Sequence, residues 1–286
     1  MTSLISPNSK DLGSFTVDRF LPNAKLPQVG PFVFFDHLGP VEFAPGEGID
    51  VRPHPHIGLA TLSYLFEGSI LHRDSLGFVQ EIQAGDVNWM TAGKGIVHSE
   101  RQSLDVKGRS QRLNLLQLWI ALPKAKAEIE PSFQHVPRGD LPNIHRDKIH
   151  MRLIAGEAYG YTSPVRIHSP LHYIDVMLQA GAELPRPNPT FECAVYVQLG
   201  EVEISGNTFG KGSFVMLDNE DQVITSTTTS RFVILGGPQA QDKPILYWNF
   251  VAYSQERMNA AKEHWRKGEF PTVPGDNEEF IPLPTE

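Results

Sequence analysis

The sequence predicts an all-β protein: two strand-rich units of β-barrel or jelly-roll type and one C-terminal helix. Three observations carry that expectation. Short apolar runs, several alternating with polar residues, recur at regular intervals between turn residues. Gly and Pro number 24 and 23 in 286 residues, so turns are plentiful, while 40% hydrophobic residues is too many for a disordered chain. Helical spacing is read near the end, where Met258, Ala261 and Trp265 fall on one face.

The length accommodates one large domain or two ordinary ones, each able to bury a core. A net charge of -8 and the lack of a basic tract argue against nucleic-acid binding through a cationic face. A single cysteine, Cys193, allows no intrachain disulfide and fits a reducing compartment. It sits in a strand-like run, 191–197, and reads as a small core residue. The first residues show no basic stretch followed by an apolar one, so no signal peptide is expected. No run approaches the ~20 apolar residues of a membrane helix. The expected location is the cytoplasm.

Taken in order, residues 14–20 alternate as a half-buried strand does. Gly30-Pro31 breaks the chain before a short buried strand at 32–35. His37 is read as a structural hydrogen-bonding group. Residues 51–56 are extended, and Pro53 and Pro55 lack backbone donors, which places them at a sheet edge or rim. Residues 59–66 form a strand that Glu67-Gly68 turns. Residues 70–73 pair with 78–82 across a loop ending in Gly77. Residues 87–90 form a strand, 92–95 a tight loop, and Ile96-Val97 leads into His98. Residues 113–121 close the first unit, with Gln111, Asn114 and Gln117 near a cavity mouth. The division expected is 1–122 for the first unit, 123–131 for a linker or short surface helix, and 132–286 for the second unit and tail.

Within the first unit two polar pairs stand out, His54-Pro-His56 and His98-Ser-Glu100. Side chains two apart in a strand point the same way. If the two strands face each other across a small barrel, four ligand-type side chains converge. Three imidazoles and a carboxylate suit Fe(II), Mn(II), Co(II), Ni(II), Cu(II) or Zn(II) better than Ca(II) or Mg(II). A lone buried histidine is ordinarily a hydrogen-bonded core residue, and the chain has 11 histidines. Two such pairs beside turn glycines shift the balance toward a metal site.

The motifs also carry a resemblance. Gly48, His54-x-His56 and Gly68 look like the first cupin motif, and Gly85 with Gly95-x-x-His98 like the second. More specifically, Phe35-Asp-His-Leu-Gly-Pro40, His54-Pro-His56, Tyr64-Leu-Phe-Glu-Gly68 and Trp89-Met-Thr-Ala-Gly-Lys-Gly-Ile-Val-His-Ser-Glu100 resemble the pirin family over at least 12–122. The resemblance implies two tandem cupin domains with a mononuclear metal, usually iron, in the first. It places the ligands on His54, His56, His98 and Glu100. Where pirins commonly carry a Glu soon after the second His, this chain has Ala60 and Thr61, which alters the polarity around the site rather than its ligands.

Bacterial pirins resemble quercetin 2,3-dioxygenases, so the resemblance implies O2 and a small aromatic, flavonol-like substrate. The heterocyclic ring opens and carbon monoxide is released. Glu100 would be ligand and general base together, accepting the 3-hydroxyl proton. Leu59, Leu65, Val87 and Trp89 are expected to supply apolar walls for a flat ligand. The family also contains transcriptional co-regulators and modulators of metabolic enzymes. The alternative is therefore a non-enzymatic regulator whose metal redox state governs binding to a protein partner.

The second unit has candidate strands at 133–136, 149–155, 165–168, 173–178, 191–199, 202–204, 213–217 and 232–235. It looks like a second cupin. No His-x-His appears near 184–189 and no His follows Gly212, so no metal is expected there through the same constellation. His135, His145, His150, His168 and His172 are scattered. Ser254 is the expected N-cap of the tail helix and Gly268 its end.

Overall fold

A computed structural model of the chain describes residues 2–11 and 15–285; Ser14, the start of the first expected strand, lies outside them. The chain divides into two compact units, each assembled from separate segments.

The unit that carries the polar pairs comprises Ser9–Asp18, Phe35–Arg138 and the chain from Gln241 on. Its smaller sheet runs Asp50–His56, Ile96–Arg101, Ser69–Asp74, Val79–Gln83, antiparallel throughout. The larger runs Ser132–Val136, Val87–Thr91, Leu59–Glu67, Gln111–Ala121, Phe32–Phe43, Thr16–Leu21, Asn8–Asp11. Alternation turns one side of each strand inward, and Leu38, Phe43, Leu65, Ile70, Ile82 and Leu113 form a core. Burying each such side chain is worth about 1.5–3 kcal/mol. Asp50–His56 lies at the edge of its sheet, where the two prolines cost no ladder hydrogen bond. The hairpin Ser69–Asp74/Val79–Gln83 forms as its turn residues require.

The tail belongs to this unit. Ser254 Oγ accepts from Arg257 N at 3.2 Å and caps the helix Gln255–Arg266. The helix buries Met258, Ala261 and Trp265 against Ile57, Val97 and Phe250. Asp276 then ties the outer side of the Ile96–Arg101 strand, accepting from Ser99 Oγ and Arg101 Nε, each at 2.7 Å.

The other unit comprises the chain up to Asn8, Arg19–Phe34 and Gly139–Ala240. One sheet runs Ser3–Ile5, Phe214–Met216, Glu192–Leu199, Ser230–Gly237, His172–Leu178, Ile149–Ala158, Asn143–Arg146, with Tyr161–Thr162 on Ile149–Ala158. The second runs Glu183–Pro185, Val223–Ser226, Glu201–Ile204, Asn207–Gly210. Ile174, Val176, Cys193, Val195, Phe232 and Ile234 are among the residues that fill its interior.

Three expectations need correction. The boundary at 122 and the placement of the tail with the second unit do not match the packing. Ser132–Val136 hydrogen-bonds to Val87–Thr91, and the tail helix buries its apolar face on Ile57 and Val97. The strand expected at 165–168 is irregular. The short strands Glu183–Pro185, Asn207–Gly210 and Val223–Ser226 were absent from the sequence reading because their few residues carry little apolar pattern. Among the described residues no helix is long and apolar enough to cross a membrane.

Candidate metal centre

The two polar pairs meet side by side in one sheet, not across the barrel as the sequence reading supposed. His98 is directly opposite His54 in the ladder between Ile96–Arg101 and Asp50–His56, and opposed residues share a face. His56 follows two residues along. The ring centroids lie 4.4 Å (His54–His98), 5.0 Å (His54–His56) and 5.0 Å (His56–His98) apart. Among the described residues, His54, His56 and His98 form a buried group of potential ligand atoms all within 4.8 Å of one another.

The tight loop before His98 depends on glycine. Gly93 has φ +52°, and a Cβ there would lie 1.9 Å from the Ile129 carbonyl oxygen. A second glycine, Gly58 at φ +68°, lets the Phe250–Ala252 strand come close; a Cβ would lie 2.1 Å from Val251 O. That approach brings the Asn249 carbonyl within 3.1 Å of His56 Nδ1. His54 Nδ1 lies 2.8 Å from the Arg52 carbonyl. A carbonyl only accepts, so in both rings Nδ1 carries the proton and Nε2 the lone pair. His56 Nε2 points at His98 Nε2 across 3.1 Å. Two nitrogens each about 2.0–2.1 Å from one ion stand about 3 Å apart, so the donor set fits a metal ion.

Protonation favours the same reading. Burial holds His54 down to about 4, with the Arg52 hydrogen bond opposing and the His72 charge adding to it. Burial and then the His54 charge hold His56 well below its usual value. Burial, followed by the charges of His54, His56 and His72, does the same for His98. Neutral imidazole is the form that ligates.

Glu100 stands outside the close histidine group. The neighbouring Asp50–His56 strand bulges here, spending three residues from His54 to Val51 against two from His98 to Glu100, so Glu100 stands opposite Val51. Ser63 Oγ lies 3.0 Å from Glu100 Oε1 and 2.8 Å from Gln117 Oε1. Burial pushes the Glu100 carboxyl above its ordinary range, against the lowering effects of His72 and Ser63.

Register identifies the facing wall. Gln117, Ser63, Asn88 and His135 are aligned across four neighbouring strands, and Trp119, Thr61, Met90 and Phe133 form the next row on the same side. Trp119 meets the His56 ring edge-on at 5.1 Å. Of the four apolar residues named from sequence, Leu59 and Leu65 share the face of Ser63. Val87 and Trp89 pair with Tyr64 and Leu62 and lie on the opposite face. Asn114 is paired with His37 at 2.8 Å, the structural role expected for that histidine. Gln111 bonds to Gln102.

His72 escaped the sequence reading. Its Nδ1 lies 3.4 Å from His98 Nδ1 and its Nε2 3.0 Å from Asp74 Oδ2. His72-Arg-Asp74 has the same one-residue spacing as the two pairs that were singled out, and that was the available signal.

Fold and site define a protein of two cupin barrels, the first with a three-histidine cluster that can hold a metal ion. The Pirin family model matches residues 14–120, and the model of the Pirin C-terminal cupin domain matches 173–271. A pirin-like protein of Caulobacter vibrioides is 43% identical over 96% of this chain and 96% of its own length. A Pseudomonas aeruginosa protein, whose name proposes a quercetin 2,3-dioxygenase activity, is 37% identical over 90% of this chain and 81% of its own. The crystal structure of a quercetin 2,3-dioxygenase from Acinetobacter baumannii superposes with a TM-score of 0.91 at 33% identity, covering 100% of this chain and 95% of that one. The chain belongs to the pirin family.

Proposed function

We propose that this chain is a metal-dependent dioxygenase that opens the heterocyclic ring of flavonols such as quercetin with O2 and releases carbon monoxide. The observation that carries the reading is the convergence of His54, His56 and His98, with two Nε2 lone pairs fixed by backbone carbonyls. The likeness to the Acinetobacter baumannii quercetin 2,3-dioxygenase supports the substrate class.

In this reading His54, His56 and His98 hold one divalent ion, Fe(II) in the cell, and Glu100 is the fourth ligand. The ion supplies a Lewis acid for the flavonol oxygens and a centre for O2 chemistry when bound. Glu100 takes the 3-hydroxyl proton on a carboxylate oxygen. Its raised pKa strengthens it as a base, and Ser63 orients Oε1. Trp119, Met90 and Phe133 exclude water and offer an apolar face to a flat ring.

The test is O2-coupled quercetin loss by protein reconstituted anaerobically with Fe(II). Turnover is expected in the native chain, with loss in His54→Ala/His98→Ala and a fall of about 100-fold or more in Glu100→Gln, the scale of general base catalysis. Absence of turnover with one metal bound per chain overturns the dioxygenase reading in favour of a regulatory protein.

A further inference from the structure

His98 has two ways to place its single ring proton. On Nε2 it would be donated to His56 Nε2, 3.1 Å away, and that hydrogen bond would close the histidine cluster on itself. On Nδ1 it would be donated to His72 Nδ1, 3.4 Å away, leaving Nε2 open. We propose that Asp74 and His72 form a positioning pair that fixes the proton of His98 on Nδ1 and so keeps the metal centre open.

Asp74 is fully buried. Its Oδ1 accepts from the backbone N–H groups of Leu76 and Phe78 at 2.9 and 3.1 Å. That orients the carboxylate so that Oδ2 meets His72 Nε2 at 3.0 Å. A carboxylate accepts, so His72 Nε2 carries a proton, and neutral His72 has its lone pair on Nδ1. In that neutral form His98 Nδ1 is the donor between the two rings. Stacking on Phe133 at 4.4 Å and 15° holds the plane of the His72 ring, and the Asp74 contact sets which edge faces His98. Register supports the arrangement: Asp74 and His54 flank His98 on either side in the ladders. All three histidines of the cluster then carry their protons on Nδ1. Two are fixed by carbonyls and the third through a carboxylate, and three Nε2 lone pairs converge.

Partners of this kind orient a ligating imidazole and typically change metal affinity 10–100-fold when removed. Asp74→Asn is the sharpest probe. The two backbone donors retain the amide oxygen, which turns the amide N–H2 toward His72. His72 Nε2 becomes an acceptor, its proton moves to Nδ1, and His98 is driven to carry its own proton on Nε2. His72→Phe keeps a ring on Phe133 and removes the acceptor.

The inference rests on the three-histidine metal centre and is tested apart from turnover. Long-range 1H–15N correlation on the metal-free wild-type protein reads the tautomer of His98 directly and needs no variant. A proton on Nδ1 is expected; a proton on Nε2 overturns the proposal. Co(II) titration against a competing chelator is expected to show affinity about 10- to 100-fold weaker in Asp74→Asn and His72→Phe. Wild-type affinity in both variants overturns it. Wild-type protein that takes up no Co(II) defeats the metal-centre reading itself, while the tautomer measurement still decides the role of the pair.

Discussion

The two units show what a shared barrel architecture leaves open. Each has a four-stranded sheet and a larger one. In the first, the inward side of the small sheet carries Asp74, His98 and His54 in one row, opposite a wall that includes Gln117, Ser63 and Asn88. In the second, the small sheet contributes Leu184, Val202, Ile204 and Ile224 to an apolar filling. A few inward positions separate a barrel that is packed shut from one that presents imidazole nitrogens. The chemistry resides in those positions rather than in the fold.

Substitutions in the two units should therefore separate binding from stability. The largest effect is expected from His98→Ala, which should take bound metal from about one ion per chain to background by elemental analysis. Metal retained at one per chain would place the site elsewhere. Ile234→Ala removes a fully buried side chain from the second barrel and should cost about 2–5 kcal/mol in denaturant unfolding. Metal stoichiometry should stay unchanged, and a loss of metal would show that the two units are coupled.

A smaller effect is expected at the tail. Asp276→Ala leaves Ser99 and Arg101 without their shared acceptor and should cost about 1–3 kcal/mol. Burial alone would raise the Asp276 carboxyl, but hydrogen bonds from Arg101 and Ser99 and the Arg101 charge hold it below its ordinary value. A depressed carboxylate stabilises above its unfolded pKa of about 3.9 and ceases to do so as pH falls through the lower folded value. Acid sensitivity in that range should thus be weaker in the variant.

The last effect is a pH slope. His54 titrates near 4 in the folded chain and near 6.5 when unfolded. Between those values the unfolded chain binds the extra proton, so stability falls as pH drops from about 6.5 to about 4. His56 and His98 add to the slope in the same direction. Melting of the metal-free protein across that window should show it, and His54→Gln should flatten it. Identical slopes would mean that His54 binds its proton as readily in the folded chain as in the unfolded one.

Alternation and turn residues were enough to read most strands and to place His54, His56 and His98 on common faces. Register was not readable. Neighbouring strands and facing strands give the same period of two, so the cluster was expected across the barrel and formed within one sheet. The bulge between Val51 and His54, which sets Glu100 opposite Val51, does not show in the alternation of the His98–Glu100 pair. Val87 and Trp89 are as apolar as Met90 and Phe133, and only pairing shows which pair faces the site. Long-range closure was equally hidden. The Asn249 carbonyl reaches His56 from 193 residues away, and Ser132–Val136 joins a strand of the first barrel. His72 was legible in principle through its spacing to Asp74 but was read as ordinary strand.

In the proposed function His54, His56 and His98 hold one metal ion in the first barrel. Crystals of protein reconstituted with Fe(II), measured at the iron absorption edge, test it directly. One anomalous peak within about 2.0–2.2 Å of the Nε2 atoms of His54, His56 and His98 is expected. A peak in the second barrel, or none among these three rings in iron-loaded protein, would contradict it.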